Sequence, residues 1–256
     1  MQLWDPSDGA VLQSLTGHTN WVSAIAASPD GRRVCTASWD TTARLWKAKT
    51  GAMLFKLEGH TGYISACAFS PCGLFLLTCS SDKSGRIWRV ETGALAHTLL
   101  GHTDILTSGS FSPDGELVVT ASADYSARLW SAETGQHLRT LEGHAASVKS
   151  AVFSPDSRLC LTASYDKTAR VFDVAMGTCL RVLKGHKESL HGAVFSPDGR
   201  LCLTTSADST CRLWNPRTGE LIHTLPGSAT NLTPATFNVE CSLVAIVSTD
   251  RKVGDR

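Results

Sequence analysis

Short runs of apolar residues alternate with clusters of Gly, Pro, Asp and Ser along the whole chain. Typical runs are YISACAFS, LFLLTCS, SGRIWR and ALAHTL, which have the length of strands. None of them keeps a sustained helical spacing of apolar residues, so the pattern predicts strands rather than helices. About four such strands, joined by tight turns, fill each stretch of 42 residues, which indicates a small antiparallel meander.

The same landmarks return with a period of 42 residues. A glycine precedes histidine at Gly17, Gly59, Gly101, Gly143 and Gly185, and Gly227 continues the series with Ser228 in place of histidine. An aspartate recurs at Asp40, Asp82, Asp124, Asp166, Asp208 and Asp250, and a large aromatic residue at Trp4, Trp46, Trp88, Trp130, Phe172 and Trp214. One small sheet cannot bury both of its faces, so successive repeats are expected to pack against one another in one all-β domain.

The order Gly-His, Ser-Pro-Asp-Gly, Asp and Leu-Trp resembles the WD40 repeat, and the resemblance covers nearly the whole chain. At the repeating aromatic position, only Trp4-Asp5 shows the dipeptide that names that family, and the later aromatics are followed by Lys47, Arg89, Ser131, Asp173 and Asn215. The resemblance implies an all-β WD40 β-propeller of four-stranded antiparallel blades, with five full repeats plus a composite or partial sixth. The expected boundaries are a single domain over 1–256, with partial blade strands in 1–16, full repeats at 17–58, 59–100, 101–142, 143–184 and 185–226, and a partial repeat at 227–256.

The two ends of the chain leave two interpretations open. In one, residues 1–16 and 227–256 complete one another and close a six-bladed ring, and this composite blade is expected to open first because it lacks the histidine. In the other, the chain is a fragment or shortened isoform of a longer propeller. The final DRKVGDR places Gly254, Asp255 and Arg256 where a third strand normally reads Arg-Leu-Trp, and this is the segment that the N-terminal MQLWD would replace in the closed ring, the interpretation we favour.

Each full repeat carries a histidine, a threonine, an aspartate and usually a tryptophan at fixed offsets, which we call a tetrad. The tetrads are His18, Thr36, Asp40 and Trp46; His60, Thr78, Asp82 and Trp88; His102, Thr120, Asp124 and Trp130; His144, Thr162 and Asp166, with Phe172 in place of Trp; and His186, Thr204, Asp208 and Trp214. These residue types also occur in catalytic triads, but a set repeated five times lacks the asymmetry of an active site. The resemblance implies hydrogen-bonded structural pegs, with one link missing at Phe172.

Function is expected at positions that vary between repeats and point outward. Three positions per repeat are expected at the rim of the turns that bear the aspartates. The candidate partner-binding residues there are Trp21, Trp39, Tyr63, Ile105, Lys149, Tyr165 and His191. Exposed Trp and Tyr are typical of protein–protein hot spots, and Trp21 and Trp39 could also clamp a cationic side chain of a partner. The alternative is that these rings only pack against neighbouring loops.

Charge, cysteine content and hydropathy limit the classes of partner. Lys and Arg number 24 against 23 for Asp and Glu, so nucleic acid is not expected as a partner. The repeating row of Arg44, Arg86, Arg128, Arg170 and Arg212 indicates an architectural role, such as ion pairing between blades. No apolar run reaches the roughly 18–20 residues of a membrane span, and no signal peptide is evident. The nine cysteines contain no C-x-x-C pair, the commonest zinc and redox signature, and we expect no metal site and no cofactor. Their odd number, mostly within apolar strand-like runs, indicates buried thiols in a reducing compartment, the cytoplasm or the nucleus.

These observations predict a non-catalytic protein–protein interaction scaffold that presents its loop rim to a protein or peptide partner in a larger complex. The alternative is a recognition module or truncated isoform of a longer multidomain WD40 protein, with a signalling or catalytic domain elsewhere. An enzyme is not expected, because no unpaired acid, Cys-His pair or Gly-rich phosphate loop stands outside the repeat pattern.

Overall fold

The computed structural model describes residues 1–5, 7–227, 232–238, 240–241 and 244–248. All regular elements among these residues are β-strands, which confirms the predicted fold class. The chain divides into two compact units: unit 1 comprises Met1–Ser122 with Leu129–Leu138, and unit 2 comprises Ala123–Arg128 with Arg139–Arg256. The prediction of a single domain over the whole chain stays a prediction.

Five four-stranded sheets account for most of the described strands. Sheet one contains β3 (Val22–Ala27), β4 (Arg33–Ser38), β5 (Ala43–Lys47) and β6 (Met53–Leu57). Sheet two contains β7 (Ile64–Phe69), β8 (Phe75–Ser80), β9 (Gly85–Arg89) and β10 (Leu95–Leu99). Sheet three contains β11 (Leu106–Phe111), β12 (Leu117–Ser122), β13 (Ala127–Ser131) and β14 (His137–Leu141). Sheet four contains β15 (Val148–Phe153), β16 (Leu159–Ser164), β17 (Thr168–Asp173) and β18 (Cys179–Lys184), and sheet five contains β19 (Leu190–Phe195), β20 (Cys202–Ser206), β21 (Thr210–Trp214) and β22 (Leu221–Pro226).

Two strand pairs lie outside these sheets. At one end of the chain β1 (Gln2–Trp4) pairs with β2 (Val11–Ser14), and near the other β23 (Leu232–Phe237) pairs with β24 (Val244–Ser248). The predicted closed ring and its early-opening composite blade depend on Ser228 and on residues 249–256, which lie outside the described residues. Both therefore stay predictions.

Each of the five sheets is an antiparallel meander with its strands in chain order. The first strand of each sheet carries a register shift at its start; in sheet four, Val148 pairs with Ser164, but Ser150 pairs with Ala163. A shift of this kind leaves one residue unpaired as a bulge and turns its side chain away from the regular alternation. Lys149 is that residue in sheet four, and His191 takes the same place in sheet five.

The core of each unit lies between the faces of successive sheets. In unit 1, Cys35 and Leu45 of sheet one pack in one cluster with Ile64, Leu76 and Trp88 of sheet two. In unit 2, a corresponding cluster joins Leu161 and Val171 of sheet four to Leu190, Cys202 and Trp214 of sheet five. Because the side chains of a strand alternate between the two faces of a sheet, a neighbouring sheet can cover each face. Successive repeats pack against one another in this way, as the sequence predicts.

The repeating arginines have an architectural role, but not the one predicted. Arg86 of sheet two lies with its guanidinium against Gly59, where a Cβ would overlap it, and φ of Gly59 is +137°. Among the described residues, Arg44, Arg86, Arg170 and Arg212 form no ion pair. Ion pairing between blades was therefore wrong, because each guanidinium stacks on the backbone of the Gly-His turn and needs a glycine there.

The remaining general predictions can be compared with the structure. All nine cysteines are free, and Cys35, Cys79, Cys160, Cys202 and Cys211 are buried. The described residues contain no helix long and apolar enough to cross a bilayer. Within the same residues, no cluster of three or more His, Cys, Asp and Glu side chains is arranged to hold a metal ion.

Candidate protein-interaction surface

The tetrad of sheet two is a continuous chain of hydrogen bonds from the Asp turn to the outer part of the sheet. His60 Nδ1 lies 2.7 Å from Asp82 Oδ2, and His60 Nε2 lies 2.8 Å from Thr78 Oγ1. Trp88 Nε1 donates to the same threonine oxygen at 2.9 Å. Because a carboxylate can only accept, Nδ1 carries the proton, and Nε2 accepts from the threonine hydroxyl. Every polar atom that links these side chains is therefore already used.

The same distances recur in the other sheets. In sheets one and five, His18 and His186 contact their aspartates at 2.7 and 2.9 Å, their threonines at 2.8 Å, and each threonine accepts from tryptophan at 2.9 Å. In sheet three, Thr120 lies 2.8 Å from both His102 Nε2 and Trp130 Nε1. Sheet four keeps His144 at 2.7 Å from Asp166 and 2.8 Å from Thr162, but Phe172 has no N–H to donate.

Burial and hydrogen bonding set the protonation of the tetrads. Burial opposes ionisation of Asp82, but hydrogen bonds from His60 and Ser84 outweigh it and hold the pKa of this carboxyl well below its usual range. Burial lowers the pKa of His144 and His186, more than the bonds to their aspartates raise it. At neutral pH the His144–Asp166 and His186–Asp208 pairs are thus each a carboxylate and a neutral imidazole. With no open position for a substrate, this arrangement suits a structural link.

Sequence analysis missed a fifth member of each tetrad. A Ser or Thr hydroxyl two residues after the aspartate donates to its Oδ1 at 2.6–2.7 Å; these residues are Thr42, Ser84, Ser126, Thr168 and Thr210. The signal was available, because a hydroxyl residue stands at this offset in every full repeat. This hydroxyl bonds to Oδ1 of the aspartate, while Oδ2 bonds to the histidine.

Three of the predicted rim residues form one stack of rings in unit 1. The Trp21 and Trp39 rings lie 5.2 Å apart between centroids, and the Trp39 and Tyr63 rings 5.3 Å apart, each pair tilted by 35°. A backbone bond from Trp39 N to Trp21 O, 2.8 Å long, fixes the first pair. Trp21 is 73% exposed and Trp39 44% exposed. The stack, which we call the aromatic ladder, joins the turns of sheets one and two and faces solvent.

A second, smaller ring contact lies in unit 2. Tyr165, at the Asp turn of sheet four, meets His191 of sheet five edge-on, with centroids 6.2 Å apart and planes at 84°. Tyr165 is 41% exposed. Ile105 directly precedes β11 and Lys149 lies at the bulge of β15; both are half-buried and belong to neither ring contact. The structure thus gathers five of the seven predicted partner-binding residues into two groups.

Tyr125 is an exposed aromatic residue that sequence analysis did not select. It follows Asp124 directly, has φ of +72° and is 52% exposed. The equivalent turn residues are Thr41, Lys83, Lys167 and Ser209, which also have positive φ. The residue after the aspartate is thus another variable position of the rim, and it has a left-handed backbone in all five turns.

Comparison with known proteins identifies the family. A family model for the WD domain, G-beta repeat, matches residues 9–47, 51–89, 93–131, 135–173 and 177–215, which is well over half of the chain. The chain belongs to the WD40 repeat family. Each match begins with the outer strand of one sheet and continues through the inner strands of the next, so five WD40 repeats confirm the resemblance found in the sequence.

Individual relatives of this WD40 protein are similar over about one repeat. A 45-residue segment is 44% identical to nuclear distribution protein PAC1 of Arthroderma benhamiae, covering 18% of this chain and 10% of that protein. A 43-residue segment is 42% identical to the guanine nucleotide-binding protein subunit beta of Saccharomyces cerevisiae, covering 17% and 10% of the two chains. The matched segments therefore span only about a tenth of each of these relatives.

Proposed function

We propose that this WD40 protein is a non-catalytic interaction module whose aromatic ladder of Trp21, Trp39 and Tyr63 binds a segment of a protein partner. The exposed ladder is the observation that carries the proposal. A tryptophan that is 73% exposed leaves a large apolar ring in water, and a partner that covers it regains the hydrophobic free energy. Stacking also restricts the rings before binding, so little side-chain entropy is lost when a partner docks.

The family and the tetrads support the non-catalytic part of this proposal. Repeats of the WD40 family also occur in the guanine nucleotide-binding protein beta subunits to which this chain is similar. Within the tetrads, the His and Asp side chains that a hydrolase could use are bonded to each other and to threonine. We further propose that the module works in the cytoplasm or nucleus, because its free thiols include several in the core and persist in a reducing compartment.

The test compares partner capture by three versions of the full chain. Wild type, a Trp21→Ala/Trp39→Ala variant and a Tyr125→Ala control are immobilised, and proteins retained from a native lysate are quantified by mass spectrometry. Tyr125 is an exposed aromatic residue outside the ladder, so its loss controls for general stickiness. We expect at least one partner to be retained by wild type and control and lost from the ladder variant. Equal retention by all three versions, at equal melting temperatures, would overturn the proposal.

A further inference from the structure

A cavity of about 310 Å³ lies in unit 2, at the ends of the strands of sheets four and five that are opposite the Asp turns. Arg158 follows the turn between β15 and β16, Arg181 lies on β18, and Arg217 lies in the turn after β21. All three line the cavity together with Asp156, Asp173 and Pro216. Three arginine residues from different turns and strands therefore border one small space.

The two aspartates beside these arginines are hydrogen-bonded within their own turns, and the pKa of Asp156 is lowered by the bond from Ser154 and, to a smaller extent, by the charge of Arg158. Asp156 Oδ1 accepts from Ser154 Oγ at 2.6 Å and from the backbone of Arg158, and Asp173 Oδ1 accepts from Met176 N at 2.8 Å. Each carboxylate thus caps its own turn. Among the described residues, Arg158, Arg181 and Arg217 form no ion pair. The guanidinium donors of Arg158 and Arg217, and those of Arg181 other than Nη1, are available to a ligand in the cavity.

Arg181 is positioned by the turn of the next sheet. Gly219 has φ of +82°, and a Cβ there would lie 3.2 Å from Cδ of Arg181, so the aliphatic part of this arginine crosses the turn of sheet five. Its Nη1 donates to Leu180 O at 2.6 Å. A restrained guanidinium loses less entropy on binding than a freely rotating one.

The equivalent cavity in unit 1 shows that the fold does not require arginine at the positions of Arg181 and Arg217. It lies two repeats earlier, between sheets two and three, has a volume of about 710 Å³ and is bordered by Arg89, His97, Glu116 and Glu133. Counting 84 residues along the chain, His97 corresponds to Arg181 and Glu133 to Arg217. Glu133 therefore stands in one unit where Arg217 stands in the other, whereas Arg89 of unit 1 corresponds to Asp173 of unit 2.

We propose that the arginine-lined cavity of unit 2 binds a phosphorylated serine or threonine side chain of a protein partner. Arginine forks match the oxygens of a phosphoryl dianion, and 310 Å³ is at the lower end of ligand-pocket volumes. Three arginines beside two aspartates leave a single excess positive charge, which suits one phosphoryl group rather than a polyanionic strand or membrane surface. This site is separate from the aromatic ladder, and either proposal can fail alone.

The test uses the full chain and two immobilised pools of degenerate peptides, one with a central phosphoserine and one with serine. We expect preferential retention on the phosphoserine pool, weakened at least about tenfold in an Arg158→Glu/Arg217→Glu variant. An Arg158→Gln/Arg217→Gln variant, which adds no repulsion, should show the same direction. Arg89→Gln, in the equivalent cavity of unit 1, is the matched control and should bind as wild type does.

Several outcomes would overturn the proposal. Equal retention on both pools would show that the phosphoryl group is not recognised, and unchanged binding by both arginine variants would place the contact elsewhere. Arginine-dependent binding to vesicles containing phosphatidylinositol phosphates, without preference for the phosphoserine pool, would assign the cavity to a lipid headgroup. Competition by inorganic phosphate at millimolar concentration alongside phosphoserine preference would support the proposal, whereas binding of inorganic phosphate alone would contradict it.

Discussion

The sheets of unit 1 and unit 2 are nearly identical inside and different outside. The tetrads of sheets two and four share the same histidine, threonine and aspartate distances within 0.1 Å and differ in the indole of Trp88, which Phe172 replaces. At the rim, however, the aromatic ladder of unit 1 corresponds to a single Tyr165–His191 contact in unit 2. The repeated positions hold the sheets, and the positions that differ give each unit its own surface chemistry.

The largest expected effect is the loss of unfolding free energy when the threonine of a tetrad in sheet two or sheet four is replaced. Thr78→Val leaves two buried groups, His60 Nε2 and Trp88 Nε1, without their partner, at a cost of about 1–3 kcal/mol each in the free energy of unfolding. Thr162→Val leaves only His144 Nε2 unpaired and should cost less. Urea unfolding of both variants measures the difference. Equal losses would show that the Trp88 link contributes nothing.

A second prediction concerns the two rims. Trp39 is the middle ring of the ladder, and Trp39→Ala should weaken binding of a ladder-dependent partner by about 2 kcal/mol, the range of a hot-spot residue. Tyr165→Ala removes a ring of similar exposure in unit 2 and should leave that affinity unchanged. Titration calorimetry with the purified partner compares them. A stronger effect of Tyr165→Ala would move the binding surface to unit 2.

The pH dependence of stability follows from the tetrads of both units. Burial lowers the pKa of His144 and His186, so the unfolded chain binds more protons and the folded state loses stability as pH falls below about 6.5. The lowered pKa of Asp82 acts in the same direction at more acid pH, below about 4. Urea midpoints between pH 7.5 and 5.5 should fall, and less steeply in His144→Gln than in the exposed-strand control His223→Gln. A midpoint that rises with acidification would contradict this account.

The smallest expected effect comes from adding the indole hydrogen bond that the tetrad of sheet four lacks. Phe172→Trp supplies an N–H for Thr162 Oγ1, and we expect a gain of up to about 1 kcal/mol in the free energy of unfolding. The gain should vanish when Thr162→Val is also present, because the acceptor is then gone. Loss of stability in the single variant would show that the core around Phe172 is fitted to the smaller ring.

How far the sequence predicted this molecule depends on whether a residue repeats. Asp82 recurs with a fixed offset from His60 and Thr78, so one interpretation of the spacing applied to all five sheets, and the strands followed from the same period. The arginine row was periodic too, yet its partner was mistaken. Arg86 packs on the backbone of Gly59, and a glycine offers no side chain from which such a contact could be inferred.

The sequence by itself determined the five WD40 repeats, the strand order within each and the residues of the tetrads, because these depend on local turns and on a period that is visible in one dimension. Only the tertiary structure decided that Trp21, Trp39 and Tyr63 share one stack, and that Arg158, Arg181 and Arg217 border one cavity. Such groups join residues from neighbouring sheets, and their distances are set by how the sheets pack against each other rather than by separation along the chain.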